Sequence, residues 1–295
     1  MDWRRVGAAL AGCAPLSLGL AFVVSTAQVY AQLARFVVLV PPDARRPLFD
    51  LLDATAVGQL LNYAAPLRGG DAYKLIRLAP NQETASGSDS GAGGKGRFSI
   101  LLAALLVERV ADIAALVVMA AWASFPELRS WLLTVVPSSA VLAKLGIGLA
   151  LAALVGALLA GRLQRLLGSF VRQVGGALWS LGFARSFGIS LLTWSLDAGT
   201  LYWTSRSVGA YALSFREVMH SVFVLNLGIA IPVTVGNLGV FEAALAFALT
   251  RHGVSLDDAM AIAMLEHIAK FAGLFLCILS LRAGWALRRR PRSVE

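Results

Sequence analysis

Between Leu225 and Glu242 the chain reads LNLGIAIPVTVGNLGVFE, an apolar run suited to membrane depth yet unable to form one uninterrupted helix. Pro232 removes a backbone donor, and Gly236 and Gly239 loosen the chain. Asn226, Asn237 and Glu242 set polar side chains among the apolar ones. Hydrocarbon offers no partners to backbone groups freed by such a break, so protein or a water-lined cavity must supply them. A carboxylate beside the break makes this stretch a candidate site.

The rest of the sequence fits a membrane setting. Of 295 residues, 58% are hydrophobic and the mean hydropathy is +0.72, with apolar residues in long blocks rather than amphipathic stripes. Spans are expected near residues 7–33, 48–66, 98–122, 140–161, 186–206, 217–232, 238–250 and 256–282. A full helical crossing needs about 20 residues, so the second, sixth and seventh are short or broken. The first block runs past signal-peptide length without a small-residue cleavage site, and the expectation is that it is retained. The predicted fold is all-α: a polytopic integral membrane protein forming a single transmembrane domain over 1–295, with about eight membrane segments and two broken or re-entrant regions.

A net charge of +9 raises the question of nucleic acid, and the placement of the charges answers it. With the N-terminus inside, eight crossings put 15 basic residues on the cytoplasmic side, including Arg4, Arg5, the group from Arg68 to Arg97 and the tail Arg288 to Arg292. Six fall in external loops: Arg45, Arg46, Arg129, Arg206, Arg216 and Arg251. That asymmetry is the positive-inside pattern and needs no nucleic-acid partner. It predicts an inner-membrane protein with both termini cytoplasmic. The same basic loops attract anionic headgroups. Cys13 and Cys277 lie in apolar spans without metal-ligand spacing, and no cofactor is expected.

Along the chain, Trp3, Arg4 and Arg5 anchor the first span, and Pro15 is placed to kink it. In LFDLLDATAVGQLLNYAAPLRGGDAYKLIRL the apolar pattern is interrupted by Asp50, Asp53, Gln59 and Asn62 and ended by Pro66, Gly69 and Gly70, a second break. Residues 80–97 are polar and rich in Gly and Ser, which predicts a flexible cytoplasmic loop, and 286–295 form a basic cytoplasmic tail. The third span holds Glu108, Arg109 and Asp112, whose spacing brings all three close to one helix face as an internal ion-pair group. The fourth is rich in small residues and suits close packing. The segment from Arg162 to Ser186 reads as a helix along the cytoplasmic interface or an ordinary amphipathic connector. Asp197 is buried in the fifth span with no partner readable.

The two broken regions share an order of features: Asn62, Pro66, Gly69, Gly70, Asp71 and Asn226, Pro232, Gly236, Gly239, Glu242. Each precedes an apolar span with a Glu-plus-base pair, Glu108–Arg109 and Glu266–His267, 46 and 40 residues after the Asn. The halves read as degenerate repeats of four spans, and breaks at corresponding positions point to a transporter binding site.

NYAAPLRGGDAYK resembles the N-x-x-x-P-x-R-x-G-[DE]-x-x-[RK] segment of the lysylphosphatidylglycerol synthase transmembrane, or flippase-like, family. VERVAD resembles its E-R-x-x-D segment and IPVTVGNLGVFEAAL its P-x-x-x-G-x-x-G-x-x-E segment, in the same order, and the likeness covers about residues 7–285. It implies an integral membrane protein that handles lipids, fused in some members to an aminoacyl-lipid synthase and associated in others with glycosyl-lipid pathways. No soluble synthase domain is present in this sequence, so aminoacylation is not carried over. His267 stands where arginine is expected and Asp71 where glutamate is more usual, which leaves headgroup preference open.

Candidate transport or substrate-binding residues are therefore Asn62, Pro66, Arg68, Gly70, Asp71, Lys74, Glu108, Arg109, Asp112, Asn226, Pro232, Gly236, Gly239, Glu242, Glu266 and His267. Arg68, Asp71, Lys74 and Arg77 form either a basic lip for a phosphate headgroup or an interfacial anchor. Glu108, Arg109 and Asp112 form either a structural ion group or part of a transport path. Glu242 is compatible with proton coupling, headgroup binding or capping of the helix after Gly239. His220, His252 and His267 are far apart in sequence and form no metal motif. There is no G-x-S-x-G, H-E-x-x-H or Walker A motif, so the chain is not expected to be an enzyme. The leading reading is a transporter moving a phospholipid or a glycosyl- or polyprenyl-phosphate lipid between leaflets. The alternatives are a non-catalytic partner of a glycosyltransferase and an intramembrane lipid-modifying transferase.

Overall fold

The computed structural model describes residues 1–42, 45–64, 69–79, 90–124, 168, 170, 172, 174–209, 211–229 and 234–288, and among them the chain is helical with no strand. The expected span at 140–161, the residues Pro66, Arg68 and Pro232, and the tail from 289 lie outside the described residues.

The first apolar block is two helices rather than one kinked span. α1 (Trp3–Ala11) is capped by Asp2, whose carboxylate accepts from the Arg4 N–H, and stops at Gly12. α2 (Pro15–Leu39) opens on Pro15, a position where the missing N–H costs nothing, so the proline starts a helix instead of bending one.

α3 (Leu48–Ala64) and α4 (Gly69–Leu78) fold back on each other as a hairpin. Gly69 and Gly70 begin α4 rather than ending a span. The reason Gly70 must be glycine is contact: a methyl there would run into the Gly58 backbone, and one at Gly58 would lie 2.8 Å from the Gly70 carbonyl oxygen. α5 (Ser90–Ala123) starts inside the segment expected to be a flexible loop. Helical hydrogen bonds propagate from the apolar span back through the Gly-rich stretch, because extending a helix is far easier than nucleating one.

After Ser180, whose hydroxyl accepts from the Phe183 N–H, comes α6 (Leu181–Ser207). Then α7 (Phe215–Gly228), started by a Ser214/Glu217 capping box, and α8 (Val240–Thr250) form a second hairpin. Gly228 packs against Ala244 near the turn, and His220 meets His252 at the open end. Its turn includes a 3-10 helix (Val235–Asn237) with Gly236, Asn237 and Gly239 at φ of 64°, 55° and 82°. These left-handed values are open to glycine and tolerated by asparagine, which explains the VGNLG composition. α9 (Leu256–Arg288) closes the described fold.

α2 and α6 run antiparallel along their whole length, tied by Ala14 N–H to the Ser207 carbonyl, Gln28 to Asp197, and Arg35 to Ser190. α5 lies along α6, with Trp194 Nε1 donating to the Asp112 carbonyl at 3.1 Å. α9 lies along α2, with Ser25 Oγ donating to the Ala269 carbonyl at 2.9 Å. A carbonyl satisfied by a hydroxyl or an indole holds each helix pair in register. Among the described helices, α2 and α9 are long and apolar enough to cross a bilayer. α6 is as long, but its buried face is lined by hydroxyls such as Ser186, Ser190, Thr193, Thr200 and Thr204, which suits close helix packing.

Candidate functional site

Two groups of charged side chains lie between these helices, buried except for Asp71, Arg109, Asp112 and Glu242, which are partly exposed. In the first, Glu108 on α5 is 3% exposed and receives Lys74 Nζ from α4 at 3.0 Å and Arg35 Nε from α2 at 3.3 Å. Arg35 also pairs with Asp112. One turn away, Arg109 donates to both oxygens of Asp71 at 2.7 and 2.8 Å, and Asn62 Nδ2 donates to Asp71 Oδ1 at 3.1 Å. Three carboxylates thus meet three cations, the pairing that buried charges require. Lys74 also sits 3.9 Å over the Phe36 ring. A small cleft lined by Gln32, Gln59, Gly70, Asp71 and Arg109 opens beside the group.

In the second, Lys270 on α9 bonds Asp197 Oδ1 of α6 at 2.9 Å and faces Glu266 Oε1 at 3.6 Å. Gln28 Nε2 adds a 2.6 Å bond to the same Asp197 oxygen, and Thr204 Oγ1 donates to Glu266 Oε2 at 3.0 Å. His267 Nδ1 meets Glu242 Oε1 at 2.6 Å, while the other Glu242 oxygen accepts the Gly239 N–H at 2.7 Å. Phe241 stacks on the imidazole with centroids 4.2 Å apart. Asp197 and Glu266 are 1% exposed and His267 3%, yet Asp197 Oδ2 and His267 Nε2 have no hydrogen-bond partner among the described residues.

The end of α3 meets the α7–α8 turn. A methyl on Gly236 would lie 3.2 Å from the Tyr63 carbonyl oxygen at the end of α3, and the Tyr63 ring packs on Phe271 of α9 at 5.1 Å.

Several sequence expectations are corrected. Arg109 does not pair with Asp112, because the hairpin brings Asp71 beneath its guanidinium and leaves Asp112 to Arg35. Lys74 is not on a basic lip: it points inward to Glu108, while Arg77 stays exposed. Asn226 is not the counterpart of Asn62, since its amide bonds the Val222 carbonyl of its own helix. Glu242 does cap α8, and it binds His267 as well. His220 and His252, remote in sequence, lie 3.1 Å apart, with Glu217 4.0 Å from His252. Among the described residues no cluster of three or more His, Cys, Asp or Glu side chains is placed to hold a metal. Sequence reasoning missed Arg35 and Gln28 and gave Asp197 no partner. The signal for Arg35 was a lone arginine in an apolar stretch, ARFVVLV, whose side chain has to find carboxylates.

Among the described residues the fold is helical, with two hairpins between long apolar helices and ion pairs packed among them. The family model described as "Lysylphosphatidylglycerol synthase TM region" matches residues 1–278, and the chain belongs to that membrane family. No curated protein matches the chain.

Proposed function

We propose that the protein is a flippase-like transporter that carries a lipid with a phosphate-bearing headgroup, a phospholipid or a glycosyl- or polyprenyl-phosphate lipid, between leaflets of the cell membrane. It acts by transport rather than by chemistry on the lipid. The observation that supports this most is the contact of the end of the first hairpin's α3, at Tyr63, with the turn of the second hairpin, at Gly236, beside the two ion groups. At about 1.5 Å per residue α4, α7 and α8 are too short to cross a bilayer, so the hairpins re-enter. The order α2, hairpin, α5 is repeated inverted as α6, hairpin, α9, the plan of transporters that bind substrate at mid-membrane. Membership of a lipid-handling family points the same way.

We infer a topology that differs from the expected one. The Asp2 N–H bonds Asp257 at the start of α9, so the N-terminus and the end of α9 lie at opposite ends of that helix. With α9 crossing, Met1 and Arg288 fall on opposite sides. The end shared by the C-termini of α2 and α9 and the N-termini of α5 and α6 is flanked by the basic segments 77–97, 162–185 and 288–292, and the positive-inside rule makes it cytoplasmic. The 80–97 segment and the C-terminus are then inside and Met1 outside, in place of the expectation of two cytoplasmic termini.

The test is reconstitution into liposomes with headgroup-labelled phosphatidylglycerol, phosphatidylethanolamine and a polyprenyl phosphate. Protein-dependent exchange of one of these between leaflets supports the reading, and exchange no faster than in empty liposomes for all three sinks it. An impermeant thiol reagent applied outside intact cells should label a cysteine at Asp2 and spare one at Ser88. The reverse pattern overturns the topology.

A further inference from the structure

Two contacts occupy corresponding places in the halves. Asp71 at the start of α4 meets Arg109 on α5, and Glu242 at the start of α8 meets His267 on α9. Arg109 follows Glu108, and His267 follows Glu266. Each contact fastens the second arm of a hairpin to the long helix after it. The chemistry differs: guanidinium keeps its charge at every relevant pH, whereas imidazole is the side-chain type that gains and loses charge between about pH 5 and 8.

The surroundings differ too. The first group balances Asp71, Glu108 and Asp112 with Arg35, Lys74 and Arg109. Among the described residues the second holds Asp197, Glu242 and Glu266 against Lys270, with His267 as a further base. Lys270 Nζ lies 5.2 Å over the Phe241 ring that stacks on His267, and it ties in Glu266 from α9 and Asp197 from α6, with the Tyr63 phenol of α3 and the neutral Gln28 of α2 beside them. Buried carboxylates in excess of their cations favour uptake of positive charge, and a proton on His267 balances the charge of Glu242. Asp197 Oδ2 and His267 Nε2, both deeply buried and unpartnered, are open positions for one.

We propose that the second ion group is the coupling-ion site of the transporter, and that the ion is a proton held by the Glu242–His267 pair. This rests on the transport reading above. With the proton bound, imidazolium and carboxylate form the ion pair that Arg109 and Asp71 form permanently, and the α7–α8 hairpin is latched to α9. With the proton gone, Nδ1–H still donates to Glu242 but without the charge, and the latch weakens. The α3–α4 hairpin stays fixed at every pH, so the second hairpin is the one that moves. Protonation adds one H⁺ to His267 Nε2 and releases none elsewhere, so each release to the opposite side carries one positive charge across.

The experiment uses the full-length protein in liposomes of phosphatidylethanolamine and phosphatidylglycerol with a headgroup-labelled phosphatidylglycerol probe and an internal pH dye. Wild-type exchange should change by roughly tenfold with pH, and an imposed proton gradient should drive it with proton movement. His267→Arg should flatten the pH profile to within about twofold, because it copies the fixed pair of the first half. His267→Gln, which cannot hold the proton, should do the same if the arginine variant fails to fold. A wild-type pH profile in either folded variant overturns the proposal, as does exchange driven by a sodium gradient and indifferent to a proton gradient. A second readout separates this from the transport reading: pH-dependent accessibility of a cysteine at Leu238, in the hairpin turn. If no lipid moves but that accessibility changes with pH and the change is lost in His267→Arg, transport fails and the proton site stands. Accessibility that does not change with pH sinks the site.

Discussion

Gln28 on α2 and Asp197 on α6 meet through a 2.6 Å hydrogen bond at corresponding points of two antiparallel helices. Gln28 lies seven residues before Arg35, which binds Glu108, and Asp197 lies seven before Thr204, which binds Glu266. The bond therefore sits where the two halves face each other. One half contributes a neutral amide and the other a carboxylate, so related frameworks carry different charge.

The α3–α4 hairpin depends on backbone contact at Gly58 and Gly70. Gly70→Ala should destabilise the protein by about 1–3 kcal/mol, since neither backbone can yield without opening the hairpin. Gly19→Ala in α2 meets nothing within 4 Å and should be neutral or stabilising by about 0.5–1 kcal/mol through helix propensity. Melting curves in one detergent decide it; equal midpoints for the two variants would remove the close-contact argument.

A double-mutant cycle distinguishes the partners of Arg109. Arg109→Ala with Asp71→Ala should show a coupling of about 0.5–3 kcal/mol, as residues in one ion pair do. The cycle of Arg109 with Asp112 should show a smaller one, because Asp112 is held by Arg35. The opposite ranking would return Arg109 to the partner its spacing on α5 implies.

That contrast shows what the sequence could convey. The glycines at 236 and 239, the proline and glycines near 70, and the Glu-plus-base pairs at 108 and 266 were legible because each is a local departure from an apolar pattern. Helical spacing also placed Arg109 and Asp112 together, and there it misled: neighbours on one face need not bond when another helix offers a better partner. Arg35 is 73 residues from Glu108, and Gln28 is 169 from Asp197. Such pairs are set by how helices pack, and packing leaves no periodic trace. The hairpins were half visible. Their breaks could be seen, but the return of the chain to the same end could not.

Glu242→Gln separates two roles that the structure joins in one side chain. Gln keeps the size and can still accept the Gly239 N–H, so the cap survives apart from the carboxylate's interaction with the helix dipole, about 0.3–1 kcal/mol. The charge opposite His267 is lost. Melting should fall slightly, while translocation in liposomes should fall far more than that instability explains. Translocation that merely follows the melting shift would leave Glu242 as a cap alone.

Lys270 is the cation on which the second group rests. Lys270→Ala leaves Asp197 and Glu266 facing each other without it, and breaking a buried pair by removing one partner costs about 3–5 kcal/mol. The charge argument goes further and predicts a rescue. Asp197→Asn keeps an oxygen to accept from Gln28 and removes one of the two carboxylates that Lys270 serves. Added to Lys270→Ala, it should therefore restore a substantial part of the lost stability, so that the double variant melts above the Lys270 single variant. The control is Asp53→Asn, which breaks the Arg282 pair near the end of α9 and shares no partner with Lys270. Its effect should add to that of Lys270→Ala, as changes at separate sites do. A double variant at 197 and 270 that melts below both singles would mean that the carboxylates were never competing for one cation, and the charge imbalance assigned to this half would be wrong.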